Sequence, residues 1–220
     1  MHAITRSGLY RSAIATLLSA LALPISAATF TPDSFDDRID AHPGDGVCAT
    51  AAPVVCTLRA AVMEANALAG ADSIVLPAGT YRLSRPGVDE NAALTGDLDI
   101  TDPAGLTIRA QGNQKPVIDA NLLDRALDVF AGAFVLNGIH IINGRAVSPE
   151  LWGGNSGGGG ILLRNPANTL IHLSEIEDNQ ASLFGGGILK GDQPGTLTIT
   201  LSRVANNRAG LSADGGGGGG

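Results

Sequence analysis

The chain has 220 residues, 30 of them glycine, with only 4% aromatic residues and a formal net charge of −7 at pH 7. A chain of this length holds one or two domains. Its acidity disfavours nucleic acid and anionic membrane surfaces as partners, because both carry negative charge. Anionic polysaccharide stays open as a partner, since a local basic patch or bound cations can override the average charge.

The start of the chain has the three-part layout of a secretory signal peptide. Arg6 and Arg11 supply a positive charge, residues 13–23 are uncharged and mostly apolar, and small residues follow. A membrane-spanning helix needs about 20 apolar residues, so this run is too short to be an anchor. We expect cleavage after Ala27 or Ala28. The mature chain would then be secreted or displayed on the outer cell surface, with no transmembrane segment.

Cys48 and Cys56 are the two cysteines of the chain. In an oxidising compartment this spacing predicts a disulfide that closes one short loop. A metal site or a thiol nucleophile is the alternative. His42 is the only histidine near them, and two cysteines with one histidine make a poor zinc site.

Residues 57–69 contain apolar side chains at helical spacing and many alanines, so they predict a helix. Thr57 is the expected N-cap and Gly70 the expected C-cap. This helix is placed to cover the first end of a stack of strands.

After Gly70 the pattern changes to short, strand-like runs separated by Gly, Asn, Asp or Pro. The runs are 72–76, 80–83, 98–100, 106–109, 117–118, 134–136, 139–142, 161–163, 170–173, 188–189 and 197–201. No further helix of convincing length separates them. The pattern therefore argues against a doubly wound α/β fold, in which each crossover needs a helix.

The later part of the chain repeats itself with an offset of 28 residues, since 170–181 matches 198–209. A degenerate earlier copy covers 136–146, and glycine runs follow the copies. Such a period with several short strands predicts an all-β, right-handed parallel β-helix (solenoid) with an N-terminal capping helix. Asn is expected at the corners and in axial ladders. The alternative for the glycine runs is a flexible linker.

The expected organisation has three parts. Residues 1–28 form the signal peptide, 29–71 the N-terminal cap with the disulfide and the helix, and 72–220 the β-helix. The last glycine run falls inside a repeat, so we expect the natural protein to continue beyond this chain.

Residues 56–61 read Cys-Thr-Leu-Arg-Ala-Ala and resemble the Cys-Ser-Leu-Arg-Glu-Ala motif of the CSLREA domain, with departures at Thr57 and Ala60. The flanking segments 43–48, 64–67, 78–81 and 95–100 match as well. Residues 185–188 resemble the Gly-Gly-Gly-Ile repeats of polymorphic outer-membrane-type surface proteins. The resemblance implies a bacterial exported protein of the pectin-lyase-like β-helix class, and it implies no particular activity.

No specific catalytic motif is present, and the candidates for chemistry are Asp97, Asp99 and Arg125. Asp97 and Asp99 are two residues apart, so on a strand they share a face. A polysaccharide lyase needs a basic residue and often calcium held by aspartates, whereas a glycoside hydrolase needs two carboxyl groups. These residues could converge on one outer groove, although outward-facing positions of a solenoid are commonly polar in any case.

An acidic stretch before the disulfide supplies candidate calcium ligands, and a solvated acidic loop is the alternative. These ligands are Asp36, Asp37, Asp40 and Asp45. His140 and His172 lie inside apolar runs and are expected to be ordinary strand residues.

The sequence therefore predicts an exported or cell-surface β-helix that binds carbohydrate or another surface partner, or that serves as a passenger module. The alternative is a carbohydrate-active enzyme such as a pectate-type polysaccharide lyase, which depends on analogy of fold alone.

Overall fold

The structure is a computed structural model that describes residues 26–88, 90–147, 156–210 and the strand Gly218–Gly219. The predicted apolar run of the signal peptide lies outside the described residues, so the leader stays a prediction. The described part is all-β apart from one short helix, and its strands form a parallel solenoid of about four turns. The predicted fold class is confirmed.

One helix and nineteen strands make up the described chain. In chain order they are β1 (Thr29–Phe30), α1 (Leu58–Ala67), β2 (Asp72–Leu76), β3 (Thr80–Arg82), β4 (Leu98–Ile100), β5 (Leu106–Ala110), β6 (Val117–Asp119), β7 (Leu127–Val129), β8 (Phe134–Asn137), β9 (His140–Ile142), β10 (Arg145–Ala146), β11 (Ile161–Leu163), β12 (Asn168–His172), β13 (Glu175–Glu177), β14 (Gln180–Ala181), β15 (Ile188–Lys190), β16 (Thr196–Thr200), β17 (Arg203–Ala205), β18 (Arg208–Ala209) and β19 (Gly218–Gly219).

The strands stack into four sheets that run along the solenoid axis. The first sheet has the order β1-β2-β5-β8-β12-β16, the second β3-β6-β9-β13-β17, the third β4-β7-β11-β15 and the fourth β10-β14-β18-β19. All pairings between these strands are parallel except that between β18 and β19, and an isolated antiparallel bridge joins Asp40 to Thr50. Because β1 pairs with β2, the segment before the helix contributes a strand to the first sheet as well as the cap.

The core is a column of apolar side chains inside the sheets. Ile74, Ile108, Leu136 and Ile171 stack in register along the first sheet, and each is fully buried. Successive residues of a strand point to opposite faces of the sheet, so the strand neighbours of each column residue face outward. Ile199 continues this column in β16 but is 42% exposed.

The predicted Asn ladder is present at the corner after β13. The Asn179 side-chain amide donates to Asn207 Oδ1 at 3.0 Å, and the Gly144 N–H donates to Asn179 Oδ1 at 2.8 Å. Asn206 has the left-handed φ of +56° that the sequence pattern favours at a corner. Leu173 also has a left-handed φ, of +50°, which a β-helix corner imposes against the usual preference of an apolar residue.

The helix starts where the sequence predicts and ends earlier. Thr57 caps it, since its hydroxyl accepts from the Ala60 N–H at 3.1 Å. The expected C-cap Gly70 was wrong, because the helix ends at Ala67 and Leu68 is its C-cap. Glycine is needed at position 70 for a different reason. Its φ is +131°, and a Cβ there would lie 2.8 Å from the carbonyl oxygen of Ser26.

Arg59 of α1 is fully buried and joins the cap to the first coil. Its Nε donates to Asp37 Oδ1 at 2.5 Å. Its two terminal nitrogens donate to the carbonyl oxygens of Ala93, Gly96 and Asp97 at 2.8–3.0 Å. All the donors of the buried charge are therefore directed at oxygen atoms, as burial of a charge requires.

Two further helix residues bind backbone. Glu64 accepts from the N–H groups of Gly44 and Gly46 at 2.6 and 2.5 Å, which fixes the turn before the disulfide. Asn66 donates to Asp99 O at 2.7 Å and accepts from the Thr101 N–H at 2.9 Å. Its amide thus pairs with the β4 backbone as a neighbouring strand would, and so covers an edge that could otherwise recruit another chain.

Cys48 and Cys56 form the expected disulfide, with an S–S distance of 2.01 Å. It closes the loop that leads into α1. Within the described residues, no helix has the length and apolar character needed to cross a membrane.

Candidate functional site

A buried charged cluster lies against the third sheet. Asp99 in β4 and Asp128 in β7 are paired in register, and Asp97 comes just before β4. Because the flanking Leu98 and Ile100 fill the core, the aspartate side chains point away from it. They are nevertheless only 0–2% exposed. The loop before β4 and helix α1 lie over this part of the first coil.

Two arginines bridge the aspartates. Arg125 Nη1 lies 3.1 Å from Asp97 Oδ2 and 3.0 Å from Asp128 Oδ2. Arg164 holds the same Asp128 carboxylate through Nε at 2.9 Å and Nη2 at 2.7 Å. Its guanidinium also stacks 4.8 Å above the centre of the Phe130 ring. One carboxylate therefore binds two guanidinium groups from successive coils.

Burial controls the protonation of this cluster. Desolvation, together with the nearby charge of Asp128, raises the pKa of Asp99 to about 7, against a hydrogen bond from the Ala93 N–H to its Oδ2. Desolvation and neighbouring carboxylates also raise the pKa of Asp97 well above its usual range. Desolvation acts to lower the pKa of Arg125, but the surrounding aspartates outweigh it and raise that pKa. The arginine thus stays charged while one or more carboxyl groups can retain a proton.

Asp97, Asp99 and Asp128 each offer an oxygen within 4.8 Å of the other two, a spacing that could hold a cation. The Arg125 guanidinium already bridges two of the three carboxylates. The arrangement therefore holds an organic cation supplied by the chain itself, and it carries no separate argument for a metal.

The structure does bring together the three catalytic candidates from the sequence. Asp97, Asp99 and Arg125 converge, but their side chains are at most 3% exposed and do not line an open groove. A polymer lying on the surface would not contact them in this arrangement. Their clearest chemical roles are to form a buried ion pair and to hold a proton on one of the carboxyl groups.

Among the described residues, the four calcium candidates do not belong to the side-chain groups whose spacing could hold a metal ion. Asp37 binds Arg59 and the N–H groups of Ser84 and Arg85. Asp40 accepts from His42 and Ala49, and Asp45 accepts from Val47. The remaining one, Asp36, is exposed. At least three of the four therefore organise local backbone.

His140 lies on the outer face of the second sheet, between two glutamates. Its ring nitrogens are 3.9 Å from Glu175 Oε2 and 3.8 Å from Glu177 Oε2. The other oxygen of each glutamate binds a basic side chain, Lys115 or Arg203. The group is thus a charge-balanced network on the surface. On the first sheet, His172 Nδ1 lies 2.8 Å from the hydroxyl of Thr200.

A cleft of about 410 Å³ opens on the lateral wall beside the first sheet. It is lined by Arg109, Ala110, Gly112, Asn113, Gln114, Lys115, Asn137, Gly138 and Leu173. Two of the lining side chains, Arg109 and Lys115, are cationic and none is acidic, in a chain whose net charge is −7. The Lys115 ammonium group also forms an ion pair with Glu175 outside the lining, whereas Arg109 forms no ion pair with a described side chain. The cleft is therefore a local basic and amide-rich patch.

A polar row continues from this cleft along the axis. Arg109, Asn137, His172 and Thr200 occupy one register position in β5, β8, β12 and β16. Strands in a sheet are about 4.8 Å apart, so the row extends over roughly 14 Å. Sequence reasoning missed the cleft. The available signal was the exposed Gly-Asn-Gln-Lys turn at 112–115, but its neighbours depend on the register.

A second cleft, of about 580 Å³, lies beside the Asn ladder and is lined by Asp178, Asn179, Gln180, Asn206, Asn207 and Arg208. Its buried amides, Asn179 and Asn207, already hydrogen-bond within the ladder. This makes them poorer candidates for binding than the exposed groups beside β5.

No protein-family model matches the chain, and no match is found among curated proteins or solved structures.

Proposed function

We propose that the chain is an exported β-solenoid whose lateral wall binds acidic carbohydrate at the cell surface or outside the cell. The observation that supports this most directly is the cleft beside β5, in which Arg109 and Lys115 stand among Asn113, Gln114 and Asn137. No lining residue is acidic, and although Lys115 also binds Glu175 outside the lining, Arg109 has no carboxylate partner among the described side chains. Guanidinium and ammonium groups bind carboxylates, and amides bind hydroxyl groups. A sugar acid presents both kinds of group.

The shape of the wall favours an extended ligand. The row Arg109, Asn137, His172 and Thr200 follows the axis from the cleft, so neighbouring sugars of a chain would meet successive polar side chains. An export route fits this role, since the predicted leader and the disulfide Cys48–Cys56 both suit an oxidising, extracytoplasmic compartment.

The proposal includes membership of the CSLREA class. The residues that carry the resemblance have clear structural roles: Cys56 forms the disulfide, Leu58 is buried in the core and Arg59 anchors the loop before β4. Thr57 replaces serine but supplies the same capping hydroxyl. The departures from the motif therefore leave these roles intact.

Binding is tested by titrating the protein with polygalacturonate, and with dextran as a neutral polymer, in isothermal calorimetry. We expect binding of polygalacturonate only, and weaker binding at higher salt. Arg109→Gln and Lys115→Gln should each weaken binding by about tenfold or more, because a hydrogen bond between charged groups contributes about 1.5–3 kcal/mol.

Lys190→Gln is the matched control. Lys190 is the other lysine of the chain, and its ammonium group donates to the carbonyl oxygens of Gly191 and Gln193 rather than lining the cleft. The Lys190→Gln substitution removes one positive charge, as Lys115→Gln does, and should leave binding unchanged. Equal loss in all three variants, or binding that none of them affects, would overturn the assignment of the cleft.

A polysaccharide lyase is the second candidate function. Its support is the convergence of Asp97, Asp99 and Arg125, with one carboxyl pKa near 7. The test mixes folded protein with acidic polysaccharides, with calcium and with chelator, and follows ultraviolet absorbance from unsaturated products. Product that disappears in Asp97→Asn would favour the lyase, and binding without product would leave the binding module.

A further inference from the structure

Two buried carboxylates beside the start of the first sheet lack a cationic partner. Asp72 is 1% exposed and Asp102 is 3% exposed. Oδ2 of each has no hydrogen-bond partner, and neither residue forms an ion pair with any described side chain. Buried charges are normally paired, so a cation at this corner of the molecule would stabilise the two carboxylates.

Backbone N–H groups donate to the other oxygen of each carboxylate, and the donor to Asp72 is Ala28. Its N–H donates to Asp72 Oδ1 at 2.7 Å, while Asp102 Oδ1 accepts from the Ala104 N–H at 2.9 Å. Burial first and then the charge of Asp72 raise the pKa of Asp102, so the two carboxyl groups lie close enough to interact. The Asp72 carboxylate thus binds the Ala28 nitrogen through one oxygen and has an unused acceptor in the other.

That nitrogen would become the amino terminus if the leader were removed after Ala27, one of the two cleavage positions that the sequence predicts. We propose that cleavage between Ala27 and Ala28 creates an α-ammonium group that forms a buried ion pair with Asp72. The inference rests on the proposed export of the chain. Water adds across the amide bond, Ala27 leaves as a carboxylate, and the freed Ala28 amine takes up a proton.

The change at the nitrogen is large. A peptide N–H is a neutral single donor, whereas an ammonium group is a cation with three donors. It can keep the bond to Asp72 Oδ1 and offer donors to other oxygen atoms at this corner. The mature chain would therefore hold the start of the first sheet more tightly than the precursor.

The alternative cleavage after Ala28 would remove these contacts. The Ala28 N–H is the donor to Asp72, and the Ala28 carbonyl accepts from the Ser73 N–H at 2.9 Å. Both bonds would be lost, and the new amine would lie at Thr29, which pairs with Ser73 in β1. The contacts of Ala28 therefore discriminate between two positions that the sequence leaves equal.

The cleavage site is tested by expressing the full chain with its leader in a Gram-negative host, purifying the extracytoplasmic product and sequencing its amino terminus. We expect Ala28 as the first residue, and a product that begins at Thr29 overturns the proposal. Retention of the uncleaved chain in the cytoplasm would count against the proposed export, and the pairing is then decided by the second measurement.

That measurement uses chains 28–220 with a free or an acetylated Ala28, prepared without export and compared by urea unfolding at pH 6. We expect acetylation to lower the unfolding midpoint and to shift the folding equilibrium constant by about tenfold, which is about 1.4 kcal/mol. In Asp72→Asn, which retains an oxygen acceptor without the charge, acetylation should have no such effect. Equal unfolding midpoints for the free and the acetylated chains that retain Asp72 overturn the pairing.

The pH dependence of this stability difference is an independent test of the ammonium group. An amine has an ordinary pKa of about 8, and a carboxylate partner raises it in the folded state. The extra stability of the free amine is then fully present below that ordinary pKa and is lost as pH rises through the folded-state value. A difference between free and acetylated chains that stays constant up to pH 11 would contradict an ammonium group.

Discussion

The two ends of the described solenoid contain equivalent interior positions in very different surroundings. In the first coil, Ile74 and Leu98 are fully buried, and α1 packs against β2 and β4. In the last coil, which contains β16, β17 and β18, Ile199 is 42% and Val204 is 43% exposed, although each continues a column of core residues. The same residue type at the same register position therefore contributes differently, because burial comes from the next layer and not from the coil itself.

The polar residues differ in the same way. Buried charges concentrate near the capped end, where Arg59, Asp72 and Asp99 are at most 1% exposed. In the last coil, Arg203 and Arg208 are exposed. A cap thus does more than shield apolar side chains: it encloses charges that must then be paired, and this makes the capped end both more specific and more sensitive to substitution.

The largest expected effect is that of Arg59→Ala. The change leaves the Asp37 carboxylate and three loop carbonyls without their donor inside the protein. Breaking a buried ion pair from one side costs about 3–5 kcal/mol, which should appear as a lower free energy of unfolding in urea followed by circular dichroism. Arg208→Ala, at the exposed end, should stay within about 0.5 kcal/mol of the wild type. Similar losses from the two variants would break the contrast between the ends.

Ile171→Ala and Ile199→Ala compare one column in two neighbouring coils. Ile171 is fully buried, so its truncation should cost about 2–5 kcal/mol. Ile199 is 42% exposed and its truncation should cost less than about 1 kcal/mol. Thermal or urea unfolding measures both. If the two losses of unfolding free energy were equal, the last coil would have to be covered in solution.

Removal of the disulfide should act locally. The Cys48→Ser, Cys56→Ser double variant releases a loop whose ends are eight residues apart, which should cost about 2–3 kcal/mol. Amide hydrogen exchange should then accelerate in α1 more than in β16. Uniform acceleration in both elements would mean that the cap and the far coils unfold as one unit.

The smallest expected effect concerns Asp99 and pH. Its folded-state pKa of about 7 lies above the ordinary 3.8, so the folded protein binds a proton that the unfolded chain releases. The resulting stability is fully present below about pH 4 and is lost as pH rises through 7.

Asp99→Asn should flatten that part of the stability curve. At pH 8 we expect it to be more stable than the wild type by on the order of 1 kcal/mol, because removal of the buried charge is partly offset by burial of an amide. Urea unfolding at pH 4, 6 and 8 measures this, with Asp178→Asn near the other end as the control. A wild-type curve that is flat from pH 4 to 8 would contradict the raised pKa.

Much of the fold was predictable because the strands carry their own apolar pattern. Ile161–Leu163 was predicted with its observed bounds, and the Asn ladder and the N-cap were predicted from residue type. Strands such as β13 and β14 were not. Glu175–Glu177 has one apolar residue between two charges, and its strand geometry comes from pairing with β9 and β17. Short strands of this kind are specified by their neighbours more than by their own sequence.

The sites were less predictable because they depend on register. The interior column passes through Ile74, Ile108, Leu136, Ile171 and Ile199, at intervals of 34, 28, 35 and 28 residues. A period of 28 read from the last two coils therefore does not extend through the chain. The convergence of Asp97 with Arg125 was predictable because the two residues are 28 positions apart, about one coil, and β4 stacks on β7. Their burial depends on a covering loop and helix that no local pattern reveals.

The constant part of that spacing matters for how such a protein changes through recombination. Excision of residues 171–198 would join Leu170 to Ile199, which stands in register with Ile171 and has the same side chain. The partners Ser202 and Asn207 would move into the places of Ser174 and Asn179, again with unchanged residue types. A gene that loses or duplicates this segment would encode a shorter or longer wall whose core column and Asn ladder keep the same residue types. Outward positions would change on excision, since Arg203 would take the place of Glu175. Recombination can therefore change the number of coils while the N-terminal cap and its buried charges are unaffected.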